Sequence, residues 1–350
     1  MEKESTKTDI KSLSLGELQQ QMEQIGEKAF RAKQIYQWMH EKLAEDFDAM
    51  SNLSKALREK LKAQYTYTCL SKEDVQISQI DGTRKYLFGL ADGAVIESVL
   101  MRYEHGNSVC ISSQVGCRMG CRFCASTLDG LERNLLPSEM LEQIYQIQKD
   151  IGERISNVVV MGSGEPMDNY DNLLQFIRIL SSEQGLNISQ RSITVSTCGI
   201  VPRMRQFADE GLQVTLALSL HAPNDAVRKT LMPVANAYPL AAVLDACRYY
   251  FEKTGRRVTF EYSLVQGVND NLEEAAALSK LLQHMHGHVN LIPVNPIKER
   301  DFVQSDRRAV MNFKNYLEKN GIHVTIRREM GRDIDGACGQ LRRRYLQKKG

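Results

Sequence analysis

Cys117, Cys121 and Cys124 fall in one short stretch, Cys-Arg-Met-Gly-Cys-Arg-Phe-Cys, whose Cys-x3-Cys-x2-Cys spacing can turn three thiolates inward on a single loop. Thiolates suit iron–sulfur clusters and zinc. Gly120 helps a loop that must wrap closely around such a group, because glycine tolerates unusual backbone angles. A cubane needs four iron ligands, so three cysteines leave one iron open to a substrate. The same distinction separates open catalytic metal sites from closed structural ones. Zinc is the structural alternative, with His105 or Cys110 as a fourth ligand. A closed zinc site usually draws on two separated pairs, however, and the chain has no second Cys-x2-Cys. A disulfide suits the stretch less, since the eight cysteines come without a secretion signal.

The chain that must position this loop has 350 residues, enough for one large domain and a small one. Its 42% hydrophobic and 25% charged content is that of an ordinary globular protein. No apolar run approaches a membrane span, and Met1-Glu2-Lys3-Glu4 opens no signal-peptide core, so a cytoplasmic protein without a membrane partner is expected. A net charge of +2 sets up no global field toward a polyanion. Local clusters carry that signal instead: Arg256-Arg257, Arg327-Arg328, and Arg342-Arg343-Arg344 with Lys348-Lys349.

Residues 1–70 read as a small helical accessory domain. Leu15, Leu18, Met22 and Ile25 follow helical spacing, as do Ala32, Ile35, Tyr36 and Met39, with Ser14 and Ser51 or Ser54 as N-caps. Its many lysines and arginines are either a solvated surface or an RNA-docking face. Removing residues 1–65 is expected to leave the cysteine site intact. Residues 71–103 alternate in a strand pattern punctuated by Asp81-Gly82 and Asp92-Gly93, and read as a short β linker. From 104 to 340, strand and helix patterns alternate. A strand over 108–112 leads into the cysteine loop, and further strands are expected at 157–161, 192–197, 213–220, 257–262, 289–294 and 322–327. Helices are expected near 137–152, 170–183, 202–210, 239–254, 271–286 and 305–320. The order predicts an α/β fold, a partial (β/α)6-type barrel, followed by a basic C-terminal tail at 341–350.

In such barrels chemistry sits in loops after the C-terminal ends of strands. The polar clusters of this chain fall there: Gly162-Ser163-Gly164-Glu165-Pro166, Ser196-Thr197, Ser219-Leu220-His221, Asn295-Pro296, and Cys338 in its glycine-flanked loop. Each has a plainer reading. Gly162 and Gly164 serve any tight turn, and Glu165-Pro166 breaks a dinucleotide fingerprint. Ser196 and Ser219 suit local caps, and a lone His221 suits a core histidine. Set on one rim beside the cysteine loop, they read together as ligand-binding residues. Cys69, Cys198 and Cys247 read as small core fillers, although Cys198 touches the rim next to Ser196.

The cysteine spacing with Phe123 resembles the radical S-adenosylmethionine (SAM) superfamily. Four motifs narrow the resemblance to its ribosomal RNA adenine C2-methyltransferases: residues 117–127 (Cys-Arg-x-Gly-Cys-x-Phe-Cys-Ala-Ser-Thr), 160–166 (Val-Met-Gly-x-Gly-Glu-Pro), 219–223 (Ser-Leu-His-Ala-Pro) and 333–341 (Asp-Ile-Asp-x-Ala-Cys-Gly-Gln-Leu). The likeness runs from the helical N-terminus almost to the last residues. A sister group that methylates C8 of the same adenine and confers antibiotic resistance shares the cluster spacing and the C-terminal cysteine loop. It usually lacks the dipeptide seen here as Glu165-Pro166, which favours the C2 enzymes. Gly336 departs from the family's usual alanine.

The resemblance implies a radical SAM barrel with one [4Fe-4S] cluster on Cys117, Cys121 and Cys124. It implies SAM held by Gly164, Glu165, Ser196, Ser219, Leu220, His221 and Asn295. It also implies that Cys338 accepts a methyl group, that Glu97 acts as general base, and that Cys110 releases the product, leaving a Cys110–Cys338 disulfide. The implied partners are 23S rRNA before full ribosome assembly, tRNA in some members, and an electron donor such as flavodoxin or ferredoxin, acting on a monomer. Two rivals stay open at this point: a radical SAM enzyme acting on a small molecule or peptide, and a zinc-stabilised RNA-binding protein.

Overall fold

Amphipathic helices alternate with strands rich in β-branched residues in the computed structural model, which describes residues 7–295, 299–334 and 339–349. A two-residue strand, β1 (Thr8–Asp9), pairs in parallel with β2 (Tyr65–Thr66) and closes off three helices, α1 (Leu15–Gln24), α2 (Phe30–His40) and α3 (Lys55–Gln64). Ser14 caps α1 in a capping box with Glu17, and of the two expected caps for α3 it is Ser54 that accepts from Leu57 N–H. The apolar faces, including Leu18, Met22, Ile35, Met39, Leu57 and Leu61, are buried.

This helical unit is bolted to the barrel. Lys11 is fully buried and its ammonium lies 2.6 Å from Glu142, while it also donates to Thr68 O at 2.7 Å. His40 Nδ1 lies 2.8 Å from the Tyr145 hydroxyl. Both barrel partners belong to α4 (Pro137–Ile151), whose start is set by Pro137 and the Glu139 carboxylate and whose end is Gly152 in the left-handed region.

The remaining strands form one ten-stranded sheet. They are β3 (Ser71–Ile77), β4 (Arg84–Gly89), β5 (Val95–Tyr103), β6 (Gly106–Ile111), β9 (Ile155–Val160), β10 (Ile193–Thr197), β11 (Thr215–Ser219), β12 (Val258–Leu264), β13 (Gly287–Pro293) and β14 (Val324–Ile326). A separate hairpin, β7 (Gln114–Gly116) with β8 (Leu131–Asn134), brackets the cysteine loop. Between the parallel strands run α5 (Tyr170–Leu180), α6 (Val201–Asp209), α7 (Asp225–Leu231), α8 (Leu240–Thr254), α9 (Leu272–Leu282) and α10 (Arg307–Lys319). The sheet order is β14-β13-β12-β11-β10-β9-β6-β5-β4-β3, parallel from β14 to β6 and antiparallel from β6 to β3. The two ends of this order do not pair among the described residues, so the barrel is open, as the partial (β/α) barrel reading requires. Leu216, Ala217 and Leu218 are all buried because helices cover one face of the parallel strands and the barrel interior the other.

Residues 71–103, expected as a short β linker, build the antiparallel wing of the same sheet, with Cys110 on β6 in register with Val99 on β5 and Val159 on β9. The basic C-terminal segment forms a helix, α11 (Gln340–Lys349). Leu341 and Tyr345, four residues apart on one helical face, pack on Leu87 and Val95. Its buried Arg342 donates to Val95 O and pairs with Glu132. Among the described residues, no helix is long and apolar enough to cross a membrane.

Candidate active site

The cysteine loop leaves β7 at Gly116, whose φ of +75° and close approach to the Gly130 carbonyl admit no side chain. Cys117 N–H then donates to Gly130 O at 2.8 Å, so the loop is pinned at its first cysteine. Thr127 closes the other end, its hydroxyl donating to the carbonyls of Cys121 (3.1 Å) and Cys124 (2.9 Å). The middle is held by the segment after β11: Arg122 N–H donates to Leu231 O at 2.9 Å, and Gly120, at φ +71°, sits against Pro233. The left-handed angles at Gly116 and Gly120 are the local reason for those residue types.

Opposite the cysteines runs the glycine-rich turn after β9. A Cβ on Gly162 would strike the Ile111 carbonyl and one on Gly164 would strike Gln114, so both glycines are required by close backbone approach. Gln114 Oε1 accepts from Glu165 N–H at 2.8 Å, and Ser126 and Ser163 share a hydroxyl–hydroxyl bond of 2.9 Å, joining turn and loop. The Glu165 carboxylate is buried and accepts from Cys198 N–H (2.7 Å) and Met167 N–H (3.0 Å). Burial raises its pKa, and those bonds work against the rise.

His221 occupies the left-handed region, at φ +57°, which turns its ring back under the loop. The ring meets Phe123 edge to face at 4.7 Å, and Nδ1 accepts from Ser263 N–H at 2.9 Å. A backbone amide can only donate, so Nδ1 is unprotonated and Nε2–H is the remaining donor. Burial first, and then the nearby charge of Arg228, bring its pKa down to about 3, so the ring is neutral at ordinary pH.

These residues line one cavity of about 210 Å³ that includes Cys117, Cys121, Cys124, Gly164, Glu165, Ser196, Ser219 and His221. Most of the expected rim therefore converges. Leu220 is buried beside it and contributes backbone only: its N–H donates to Glu261 O and its carbonyl accepts from Arg228. Asn295 follows the end of β13 at Pro293, is exposed, and is not among the described residues that line the cavity. Pro296 and Cys338, and with Cys338 the expected Cys110–Cys338 pairing, lie outside the described residues.

Glu97 and Cys110 are not among the described residues that line the cavity. Cys110 is buried on β6 in a small cluster with Val99 and Met101, against which Met161, itself a cavity residue, packs. Glu97 is buried, pairs with Lys85 at 3.0 Å, and accepts from the backbone N–H groups of Gly339 (2.6 Å) and Arg342 (2.5 Å). It thus anchors the start of α11.

Sequence reasoning missed Glu261, Ser263, Met232, Ile292 and Arg327, which also line the cavity. The signal for two of them was present: Glu261 and Ser263 alternate within the otherwise apolar run of β12, where polar side chains two apart share a face. Burial raises the pKa of Glu261, against the pull of Arg327 and an Asn290 amide bond of 2.9 Å. Cys198, read as a filler with a doubtful edge, is also a lining residue.

The donor set is three soft sulfurs on one wall and open volume before them, which fits a thiolate-held cluster with a further ligand on it. Burial pushes the Cys117 thiol up to about 12 and raises that of Cys121 well above its usual value, so loading a metal group must displace their protons. The thiols line a wall rather than meet at a point: among the described residues no three His, Cys, Asp or Glu side chains gather at single-ion spacing.

Comparison with known proteins agrees with this site. The family described as the Radical SAM superfamily matches residues 111–279, and the one described as the ribosomal RNA large subunit methyltransferase N-terminal domain matches residues 8–66. A protein of Lachnospira eligens named as a probable dual-specificity RNA methyltransferase, RlmN, is 67% identical over 97% of this chain and 97% of its own length. One of the same name from Lachnoclostridium phytofermentans is 64% identical over 99% of this chain and 98% of its own. In structure, the chain is similar to a radical SAM methyltransferase from Sphaerobacter thermophilus, with a TM-score of 0.91 and 42% identity over 95% of this chain and 98% of that one.

Proposed function

Given that this chain belongs to the RlmN family of radical SAM RNA methyltransferases, we propose that it methylates C2 of an adenine in 23S rRNA near the peptidyl-transferase centre, and C2 of the adenosine after the anticodon in tRNA. The observation that carries this reading is the convergence of the three cysteines, the glycine-rich turn and His221 on one cavity at the C-terminal rim of the barrel. The family works with a [4Fe-4S] cluster and SAM, and Cys117, Cys121 and Cys124 are the residues that would hold the cluster here. Bound together, these groups supply a 5′-deoxyadenosyl radical. Such chemistry suits the target, because adenine C2 is electron-poor, has no acidic proton and is no nucleophile for polar methyl transfer.

The chain's own residues bind, orient and exclude water. Gly162 and Gly164 let backbone amides and carbonyls approach the amino-acid end of SAM, while Ser196, Ser219 and the Nε2–H of a neutral His221 offer hydrogen bonds without adding charge. Glu165, already bonded to two backbone amides, is held still at the base of the turn and supports its shape. The pocket walls shield the reacting atoms from solvent. By their match to the family, Cys338 is the methyl acceptor and Cys110 the thiol that attacks the protein–RNA thioether to release product. Glu97 is the matching general base, and its carboxylate accepts from the Gly339 and Arg342 amides at the start of α11.

The basic residues of the helical domain and of α11 are the proposed phosphate contacts, which position RNA without reading its sequence. An adenine stacked in RNA must be extruded to reach the barrel mouth. A cytoplasmic monomer served by a flavodoxin or ferredoxin completes the reading. Mass spectrometry of 23S rRNA and tRNA nucleosides from cells with and without this gene tests it. Loss of 2-methyladenosine on deletion is expected. Loss of 8-methyladenosine instead would assign the C8 chemistry of the sister group, and unchanged RNA would overturn the proposal.

A further inference from the structure

Arg228, on α7, carries a charge that the mechanism above leaves unused. Its side chain is fully buried. Nε donates to Leu220 O at 3.2 Å, and Nη2 donates to Cys198 O at 2.7 Å and Ser219 O at 3.3 Å. Nη1 has no partner, so among the described residues the guanidinium is bonded to backbone carbonyls alone. Asp225, the carboxylate nearest in sequence, is turned to Leu240 N–H at 2.8 Å. A buried cation without a compensating anion is costly.

Its surroundings point to that use. The helix that carries it is latched to the cysteine loop through Arg122 N–H on Leu231 O and through Gly120 against Pro233. Leu231 and Met232, at the end of that helix, pack with Cys121 and Cys198. Cys198, whose carbonyl Arg228 holds, packs in the same cluster as Cys121. We propose that Arg228 is the built-in countercharge of the cluster held by Cys117, Cys121 and Cys124, and that it raises the potential at which that cluster accepts an electron. The proposal rests on the cluster assignment above. Adding one electron to a buried, thiolate-held group makes its surroundings one unit more negative, and a fixed cation in a low-dielectric interior favours the reduced form.

The test uses the full-length protein with its cluster reconstituted anaerobically, titrated without SAM by dithionite as the electron source and read by electron paramagnetic resonance. The parent's own iron–sulfur spectrum is read first, and its absence would sink the cluster assignment independently of Arg228. Arg228→Met and Arg228→Gln are expected to shift the one-electron equilibrium toward the oxidised form at least tenfold, which is 59 mV. Arg228→Lys, which keeps the charge, should stay within about threefold of the parent. A purely structural role, stapling the ends of β10 and β11, would leave the potential of loaded neutral variants unchanged, and that result overturns the proposal. If neither neutral variant accepts a cluster while Arg228→Lys does, at parental circular dichroism, the countercharge is supported. Loss of loading in Arg228→Lys as well overturns it.

Discussion

The ammonium of Lys85 lies 3.0 Å from the carboxylate of Glu97, and both side chains are shut away from solvent at 0% and 4% exposure. The same carboxylate accepts from the first amides of α11, so one buried pair fastens the wing of the sheet to the C-terminal helix. Removing one member of a buried pair costs about 3–5 kcal/mol, because the other charge is stranded. Lys85→Met is therefore expected to lower unfolding stability by that amount in urea titrations. Glu97→Ala should in addition raise hydrogen exchange throughout 340–349, and unchanged protection there would dismiss the anchoring role.

Replacing Cys117, Cys121 or Cys124 by Ala should abolish iron binding, brown colour and SAM cleavage. The hydrogen bonds of Cys117 N–H and of the Cys121 and Cys124 carbonyls are backbone bonds and survive the substitution. The apo variants should thus match the apo parent in thermal unfolding. A Cys121→Ala protein that reconstitutes with full iron and sulfide would exclude the cluster assignment.

Removal of residues 1–66 should do more than weaken RNA methylation. Charge segregation along the sequence suggests a separable docking unit, yet truncation would strand Glu142, which pairs at 2.6 Å with the fully buried Lys11, and would uncover the α4 surface around Tyr145. The shortened chain is expected to aggregate or to melt well below the parent. Lys11→Met in the full chain should cost about 3–5 kcal/mol by the same stranding of charge. A truncated protein that melts with the parent would show the two units to be independent.

His40 adds a pH dependence. It is fully buried, and burial, then the charge of Lys11, depress its pKa from 6.5 to about 3. Between those values the unfolded chain binds the proton and the folded chain does not, so stability is fully present above about pH 6.5 and declines as pH falls toward 3. At pH 5 this one residue removes about 2 kcal/mol. His40→Gln, whose amide can still reach the Tyr145 hydroxyl, should lose less stability between pH 7 and pH 5 than the parent. Equal losses would remove His40 from the account.

Cys110 and Cys338 separate two roles for identical side chains. Cys110→Ala should accept the methyl group on Cys338 and add it to RNA but fail to release it, so a covalent protein–RNA complex accumulates on denaturing gels. The Cys110→Ala/Cys338→Ala double variant should form none. Normal turnover by the Cys110 variant would rule the two-cysteine route out.

What the sequence alone determined was whatever depends on neighbours a few residues apart. The Cys117–Cys124 spacing, the glycines that a left-handed turn requires, and the periodicities that separate strand from helix are all short-range properties. The helices expected near 137–152 and 239–254 accordingly appear as Pro137–Ile151 and Leu240–Thr254. Convergence was decided only by the tertiary structure. Glu261, Ser263 and Arg327 line the cavity, whereas Asn295, after a strand end like the other rim residues, is exposed. Strand register and the direction of each exit turn set those outcomes, and both depend on pairing with strands distant in the chain. The same holds for the wing at 71–103 and for α11, whose places follow from β5 pairing with β6 and from Glu97 meeting amides more than two hundred residues away. Arg228 is the extreme case: only the packing of α7 against the cysteine loop buries its charge, on backbone carbonyls that include that of Cys198.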